Sequence, residues 1–181
     1  QMGGIKGDVV DIGVLRTTLM EIGGWVDGDL YNGKMVRIAN SFLFKEPVFN
    51  YSGEFPFLWD EVKIPVKTSS DHDYFRELLT DILNKIVGHY TSESQNSWDD
   101  LTKELYVEKA QVSPMITLSF DENWTTYTLR YTVDFKKRRT TKDQLFNEIL
   151  KRISESGERV IIAGSSMEVT LDKDNLNEPS P

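Results

Sequence analysis

The sequence predicts an α+β protein made of two units. The first half, up to about residue 51, contains short runs of β-branched residues separated by glycines. In the second half, apolar residues alternate from Val62 to Val66 and then recur at spacings of three and four from Phe75 to Tyr90. A period of two indicates a strand with one buried face, and a period near 3.6 indicates an amphipathic helix. We therefore predict a small β unit followed by a unit that mixes strands and helices.

Composition narrows the possible functions. The chain has 181 residues, 39% of them hydrophobic, which is typical of a folded protein. The net charge of -8 disfavours a main role in gripping nucleic acid, and the absence of cysteine excludes disulfides and thiolate catalysis. No run approaches the roughly 20 apolar residues that cross a bilayer, so the chain as written is expected to be soluble. Because it begins abruptly in a strand-rich region, we expect it to be part of a longer protein.

The first half is expected to form a small barrel or partly open sheet. Its predicted strands are Val9–Ile12, Leu15–Ile22 and Met35–Ile38, and glycine corners separate them. We assign residues 1–53 to this first domain.

The second half opens with the alternating strand, in which Pro65 indicates an edge position or a strand end. A helix is predicted to start near Ser70 or Asp71 and to run to about Tyr90. The polar residues 91–97 are expected to interrupt it before a short helix over Trp98–Tyr106, with Ser97 and Asp100 spaced as a capping box. Pro114 would end this stretch.

A long hairpin and a second helix follow. Ile116, Leu118 and Phe120 are predicted to face inward on one strand, and the odd-numbered residues from Tyr127 to Phe135 on the next. A helix capped by Thr140 or Thr141 and ending near Gly157 would bury five apolar residues: Leu145, Phe146, Ile149, Leu150 and Ile153.

Residues 160–163 and 167–171 could supply final strands, which gives the order strand, helix, strand, strand, helix, strand. That order is the ferredoxin-like arrangement. We assign residues 54–172 to this α/β sandwich domain and predict a disordered tail over 173–181.

Asp71, His72 and Asp73 could hold a metal ion or act in acid/base chemistry, which would suit a metal-dependent hydrolase. The favoured interpretation is that they cap the helix, because Asp at a helix start accepts from free N–H groups and meets the positive end of the helix dipole. His89, near the predicted end of that helix, is expected to be a surface residue.

The basic run Lys136, Lys137, Arg138 and Arg139 is a candidate basic patch. It could bind nucleic acid, it could be a solvated strand-to-helix junction, or it could contribute to the field around a solute pathway. The acidity of the whole chain favours the solvated junction.

Several ordered motifs in the first half resemble the β domain of small-conductance mechanosensitive (MscS-like) channels. They are the segments 7–13 (GDVVDIG), 16–19 (RTTL), 36–41 (VRIANS) and 47–51 (PVFNY), with Ser52 completing an Asn-Tyr-Ser ending. Ala39 stands where the family usually has proline. The resemblance implies an Sm-like β domain, N-terminally truncated here, followed by the ferredoxin-like domain already predicted.

The resemblance also implies a function. The chain would be the cytoplasmic part of a mechanosensitive ion channel in the cell membrane. Upstream membrane helices, which are absent here, would connect it to the membrane. It would form a homo-oligomer, most simply a heptamer, whose cage supports assembly and filters ions and small solutes during osmotic tension release. No enzyme activity, cofactor, metal or nucleic-acid partner is expected, and an Sm-like RNA-binding module is the alternative.

The candidate oligomer interface consists of residues that follow the third predicted strand: Asn40, Ser41, Phe42, Phe44, Phe49 and Tyr51. Unpaired sheet edges are stabilised by pairing with a neighbour, which motivates this choice. The alternative is that the aromatic residues fill the core of the β domain.

Overall fold

A computed structural model describes residues 1–26, 29–53, 55–105, 108 and 110–164. Its elements, in chain order, are β1 (Gly7–Ile12), β2 (Arg16–Ile22), β3 (Tyr31–Ala39), a 3₁₀ turn (Asn40–Phe44), β4 (Phe57–Val66), α1 (His72–Glu104), β5 (Met115–Phe120), β6 (Thr125–Asp134) and α2 (Arg138–Glu155). The strands form two antiparallel three-stranded sheets. The predicted α+β class is therefore confirmed.

The first sheet is a meander in the order β1-β2-β3. In its centre, Leu19 of β2 lies opposite Val9 on one side and Val36 on the other. Leu19 and Ile38 are buried together with Met2, whose chain segment pairs with Ile5. This core is small for a sheet of three strands, so much of the apolar surface of the first half stays in contact with solvent.

The second sheet has the order β4-β6-β5, with β6 antiparallel to both neighbours. After α2 the chain returns to the outer side of β4, where Ile162 pairs with Val66 and the Lys67 N–H donates to the Ile161 carbonyl at 2.8 Å. The predicted ferredoxin-like arrangement is thus confirmed, with the predicted strand at 160–163 present as a single bridge within the described residues. The predicted strand material at 167–171 and the predicted tail at 173–181 lie outside the described residues.

The main core lies between this sheet and the two helices. Val62 and Ile64 of β4 and Leu129 and Tyr131 of β6 point into it, since residues two apart in a strand share a face. The helices contribute a second buried set: Phe75, Leu78, Leu79, Ile82, Leu83, Val87, Leu145 and Ile149. The predicted apolar stripe of the first helix is confirmed.

Helix α1 continues through residues 91–97, so the predicted break and the short separate helix are wrong. The three serines there bond to carbonyl groups of the helix itself. Ser94, fully buried, donates through Oγ to the Tyr90 carbonyl at 2.6 Å, and Ser97 donates to the Glu93 carbonyl at 3.2 Å. Serine can bond to the carbonyl four residues earlier without ending a helix. His89 therefore lies inside α1 and not near its end.

The face predicted for β5 is confirmed, because Leu118 lies opposite the buried Tyr127, but the burial expected at two of its three residues is wrong. Ile116 packs against the core, but Leu118 is 40% exposed and Phe120 77% exposed. The reason is that β5 pairs with β6 alone and lies at the edge of the sheet, where the helices do not cover it fully.

Helix α2 begins earlier than predicted and buries a narrower stripe. It starts at Arg138, and Thr141 is buried instead of capping the helix. Leu145, Ile149 and Ile153 face the core, whereas Phe146 and Leu150 are exposed. A single sheet face meets only one side of a helix, which leaves part of a wide apolar stripe uncovered. The helix does end before Gly157, which adopts a positive φ of 67°.

Among the helices of the described residues, none combines the length and the apolar character needed to cross a membrane.

Candidate assembly surface and charged junction

Asn40 organises the turn between β1 and β2. Its side-chain amide donates to the carbonyls of Gly13 at 2.8 Å and Val14 at 3.0 Å, and its Oδ1 accepts from the Thr17 hydroxyl at 2.8 Å. Its backbone N–H donates to the Leu15 carbonyl at 2.9 Å. One residue at the end of β3 thus fixes a turn more than twenty residues earlier in the chain.

The aromatic residues of the candidate interface are exposed. Phe44, in the 3₁₀ turn, is 91% exposed, and Phe42, Phe49 and Tyr51 are 46%, 54% and 44% exposed. Ser41 is exposed as well. The segment that carries Phe49 is held by Gln1, whose backbone nitrogen donates to the Phe49 carbonyl at 2.6 Å and whose carbonyl accepts from the Phe49 N–H at 2.8 Å. These aromatics do not fill the core of the first half.

The exposed apolar surface extends beyond this segment. Further large apolar side chains of the first half are between 44% and 95% exposed: Val9, Val10, Ile12, Val14, Leu15, Trp25, Leu30, Tyr31, Met35, Leu43 and Val48. Eleven large apolar side chains exposed within 40 residues make this part of the chain a candidate interaction surface.

The four residues of the basic run lie in different environments in the structure. Arg138 is turned toward two carboxylates, Asp29 at 2.9 Å and Asp60 at 3.1 Å. Lys136 and Lys137 lie in the turn before α2 and are exposed, with their backbone N–H groups bonded to Asp134. Arg139 is also exposed and takes part in an interaction of its own. The run therefore does not present four equivalent cations to one ligand.

Asp60, on β4, is the centre of a charged junction that we define as Asp29, Asp60, Tyr131, Arg138 and Lys142. Its side chain is 6% exposed and receives Arg138 through both Oδ atoms, at 3.1 and 3.2 Å. Lys142 lies at 3.3 Å and the Tyr131 hydroxyl donates at 3.3 Å. Because Arg138 also reaches Asp29, the junction ties the segment before β3 to the second sheet.

The junction changes the protonation behaviour of its members. Burial raises the pKa of Tyr131 well above its usual range, and the neighbouring Asp60 carboxylate raises it further. Burial alone would lower the pKa of Arg138, but the hydrogen bonds and charges of Asp29 and Asp60 outweigh it and raise that pKa. Tyr131 as a neutral phenol and Arg138 as a charged guanidinium can both donate hydrogen bonds to the buried Asp60 carboxylate.

The Asp71, His72 and Asp73 cluster serves the helix start. Asp71 accepts from Arg159 at 2.6 Å and from the Tyr74 N–H at 3.1 Å, and these bonds, the Arg159 bond most of all, lower its pKa. The two ring nitrogens of His72 lie 3.0 Å from the Tyr127 hydroxyl and the Thr68 carbonyl. The predicted cap is confirmed, and no set of three potential metal ligands occurs in the described part of the chain.

Sequence reasoning missed the junction. Asp60 interrupts the apolar face of β4 at an inward position, and a lone aspartate there was the available signal. A buried carboxylate requires paired cations or donors, so its partners could have been sought among the nearby basic residues.

No protein-family model matches this chain, and no curated protein matches it. Two solved structures are similar in fold. Helicobacter pylori MscS in its closed state matches with a TM-score of 0.56 and 14% identity, over 94% of this chain and 56% of that one. AtMSL1 wild type matches with a TM-score of 0.54 and 17% identity, over 90% and 48%.

The chain spans about half the length of each structure. Both matches extend across the two sheets and the two helices, since they cover nine-tenths of this chain or more. The chain therefore shares its fold with part of the MscS-like mechanosensitive channels, which confirms at the level of the fold the resemblance seen in its first half.

Proposed function

We propose that this chain is the cytoplasmic part of a mechanosensitive channel of the cell membrane. In this proposal, copies of it form a hollow homo-oligomeric cage below the pore, most simply a heptamer. The cage supports assembly and filters the ions and small solutes that leave under osmotic tension. The chain has no catalytic role, and upstream helices supply the membrane part.

The observation that carries the proposal is the unequal burial of the two halves. The described buried apolar core of the first half is Met2, Leu19 and Ile38, whereas nineteen buried residues form the core of the second. A sheet with so little core of its own gains stability when a second molecule covers its apolar face. A second copy of the chain is a suitable partner, because its own first sheet has the same uncovered apolar face.

The candidate interface supports the same proposal. Phe42, Phe44, Phe49 and Tyr51 are rigid aromatic side chains of the kind enriched in protein interfaces. Burying one of them between subunits is worth about 2 kcal/mol, or roughly 30-fold in association at each contact.

The test compares two exposed phenylalanines in the full-length protein extracted in detergent. Phe44→Ser removes an aromatic group from the candidate interface, and Phe120→Ser removes one from β5, with exposures of 91% and 77% in the free chain. We expect native mass measurement to show a ring for the parent protein and for Phe120→Ser, and a weakened ring for Phe44→Ser. Monomers in all three proteins would contradict the proposal.

The RNA-binding alternative predicts a different result. Its basic run has Arg138 occupied by Asp29 and Asp60, so the geometry does not favour it. Salt-dependent RNA binding that disappears when Lys136 and Lys137 are changed to glutamine would favour that alternative over the channel cage.

A further inference from the structure

A groove of about 660 Å³ lies at the end of the first sheet where β1 turns into β2. Its lining consists of the turn and the facing end of β3: Gly13, Val14, Leu15, Arg16, Arg37 and Ala39. The groove combines two arginines with apolar residues. We propose that it binds the phosphate headgroup of an anionic phospholipid at a membrane surface.

The two arginines share one face of the sheet. Arg16 lies opposite Ala39 and Arg37 opposite Thr18, which makes the arginines diagonal neighbours on adjacent strands. Such neighbours have Cβ atoms about 7–8 Å apart, within the reach of two long side chains toward one phosphate. Guanidinium groups suit phosphate because they offer paired donors in a plane.

Both arginines are exposed, and no ion pair involves either of them within the described residues. Asp8 and Asp11 of β1 share this face from the other side of β2, but neither of them lines the groove. The lining of the groove itself therefore carries two positive charges and no negative one. In a chain of net charge -8, this local excess is a feature of the groove and not of the whole surface.

The tip of the turn is apolar. Val14 is 95% exposed and Leu15 81% exposed, the highest values for apolar residues in the turn. Apolar side chains that project from a surface beside basic ones match the layered chemistry of a bilayer interface, where headgroups lie above acyl chains.

Backbone polar groups at the tip of the turn are already hydrogen-bonded within the protein, which suits contact with lipid. Asn40 donates to the carbonyls of Gly13 and Val14, and the Leu15 carbonyl accepts the Asn40 N–H. The Gly13 N–H donates to the Arg16 carbonyl at 2.9 Å. Polar groups that are already bonded within the protein cost little to remove from water. These contacts favour a lipid surface over a purely aqueous anion.

The proposal goes beyond the proposed function, because neither cage formation nor solute filtering requires lipid contact by this turn. The experiment measures binding of the purified chain to vesicles of equal parts phosphatidylglycerol and phosphatidylcholine, with phosphatidylcholine vesicles as the neutral comparison. We expect binding to the anionic vesicles that weakens in molar salt and does not occur with the neutral ones.

The variants assign the binding to the groove. Arg16→Gln and Arg37→Gln should each weaken binding about fivefold, and both together about 25-fold. Val14→Ser should weaken it about fivefold. Lys63→Gln, which removes an exposed charge from β4, is the matched control and should leave binding unchanged.

Several results would overturn the proposal. They are the absence of binding to anionic vesicles, equal binding to neutral ones, an equal loss in Lys63→Gln, and full displacement by inorganic phosphate, which would indicate a free-anion site. If the arginine variants instead break self-association, the occupant is a second copy of the chain. Phe44→Ser should alter assembly and spare vesicle binding, so failure of the proposed function and failure of this proposal are distinguishable.

Discussion

Replacement of Arg138 by methionine tests whether the charged junction stabilises the fold. Methionine keeps most of the length of the side chain and removes the guanidinium. Asp60, whose side chain is 6% exposed in the parent protein, would then lose both of its bonds to Arg138. A buried carboxylate without its partner is costly, because the interior cannot replace the lost solvation.

The size of the expected loss in the free energy of unfolding depends on the partners that Asp60 keeps. Removing one partner of a buried ion pair destabilises a protein by about 3–5 kcal/mol. Lys142 and Tyr131 still lie at 3.3 Å from the Asp60 carboxylate, so part of the compensation survives. We therefore expect the free energy of unfolding to fall by about 2–3 kcal/mol, at or just below the lower end of that range.

Urea unfolding followed by circular dichroism measures this change. Lys136→Met, two residues earlier and exposed, is the matched control and should stay within about 0.5 kcal/mol of the parent protein. Asp29→Asn should cost no more than about 1 kcal/mol, because that side chain is 36% exposed. An Arg138→Met variant as stable as Lys136→Met would refute the reasoning.

Three further predictions concern single positions. Gly88→Ala should stabilise α1 by about 1 kcal/mol in thermal unfolding, because an added Cβ meets nothing within 4 Å; a less stable variant would contradict the geometry. Gly7→Ala should disrupt the first sheet, because its Cβ would lie 2.5 Å from the Met20 carbonyl oxygen, and unchanged amide exchange in β1 and β2 would refute this. The lowered pKa of Asp71 predicts a stabilisation that is present above the ordinary carboxyl pKa and is lost as pH falls through the lowered value. Asp71→Ser keeps the cap and should remove this part of the acid dependence, so identical acid-unfolding curves for variant and parent would contradict it.

Local signals in the sequence were sufficient for the elements that depend on local chemistry. Asp71 marks the start of α1 because a cap acts within three residues, and Gly157 marks the end of α2 because a positive φ favours glycine. The strand order followed from periodicity and element order, which the pairing of Ile162 with β4 completes.

Other features depended on contacts between distant residues. Ser94 looked like part of a polar linker, but its hydroxyl is buried against the Tyr90 carbonyl and lies 3.1 Å from Thr132 of β6. Phe120 and Leu150 fit apolar patterns, yet their faces are not covered because β5 is an edge and α2 meets the sheet on one side. The charged junction joins residues up to 109 positions apart, and no local pattern contains that information.

The candidate interface was predictable only in part. The position of the aromatic residues after β3 was evident from the sequence, but whether they fill a core or face outward depends on how much of the sheet folds back over them. Their exposure in the structure excludes the core interpretation for the described chain. Contact with a second copy remains the proposal.

Site-specific crosslinking in the native membrane tests assembly through the first half most directly. The chain has no cysteine, so Phe44→Cys places a single thiol of this chain on the candidate interface, and Phe120→Cys places one on β5 as a control. With a bifunctional thiol reagent, we predict crosslinked dimers for Phe44→Cys, because one thiol per subunit can join only two subunits, and monomers for Phe120→Cys. Monomers alone for Phe44→Cys, or equal amounts of dimer for both variants, would contradict assembly through the first half.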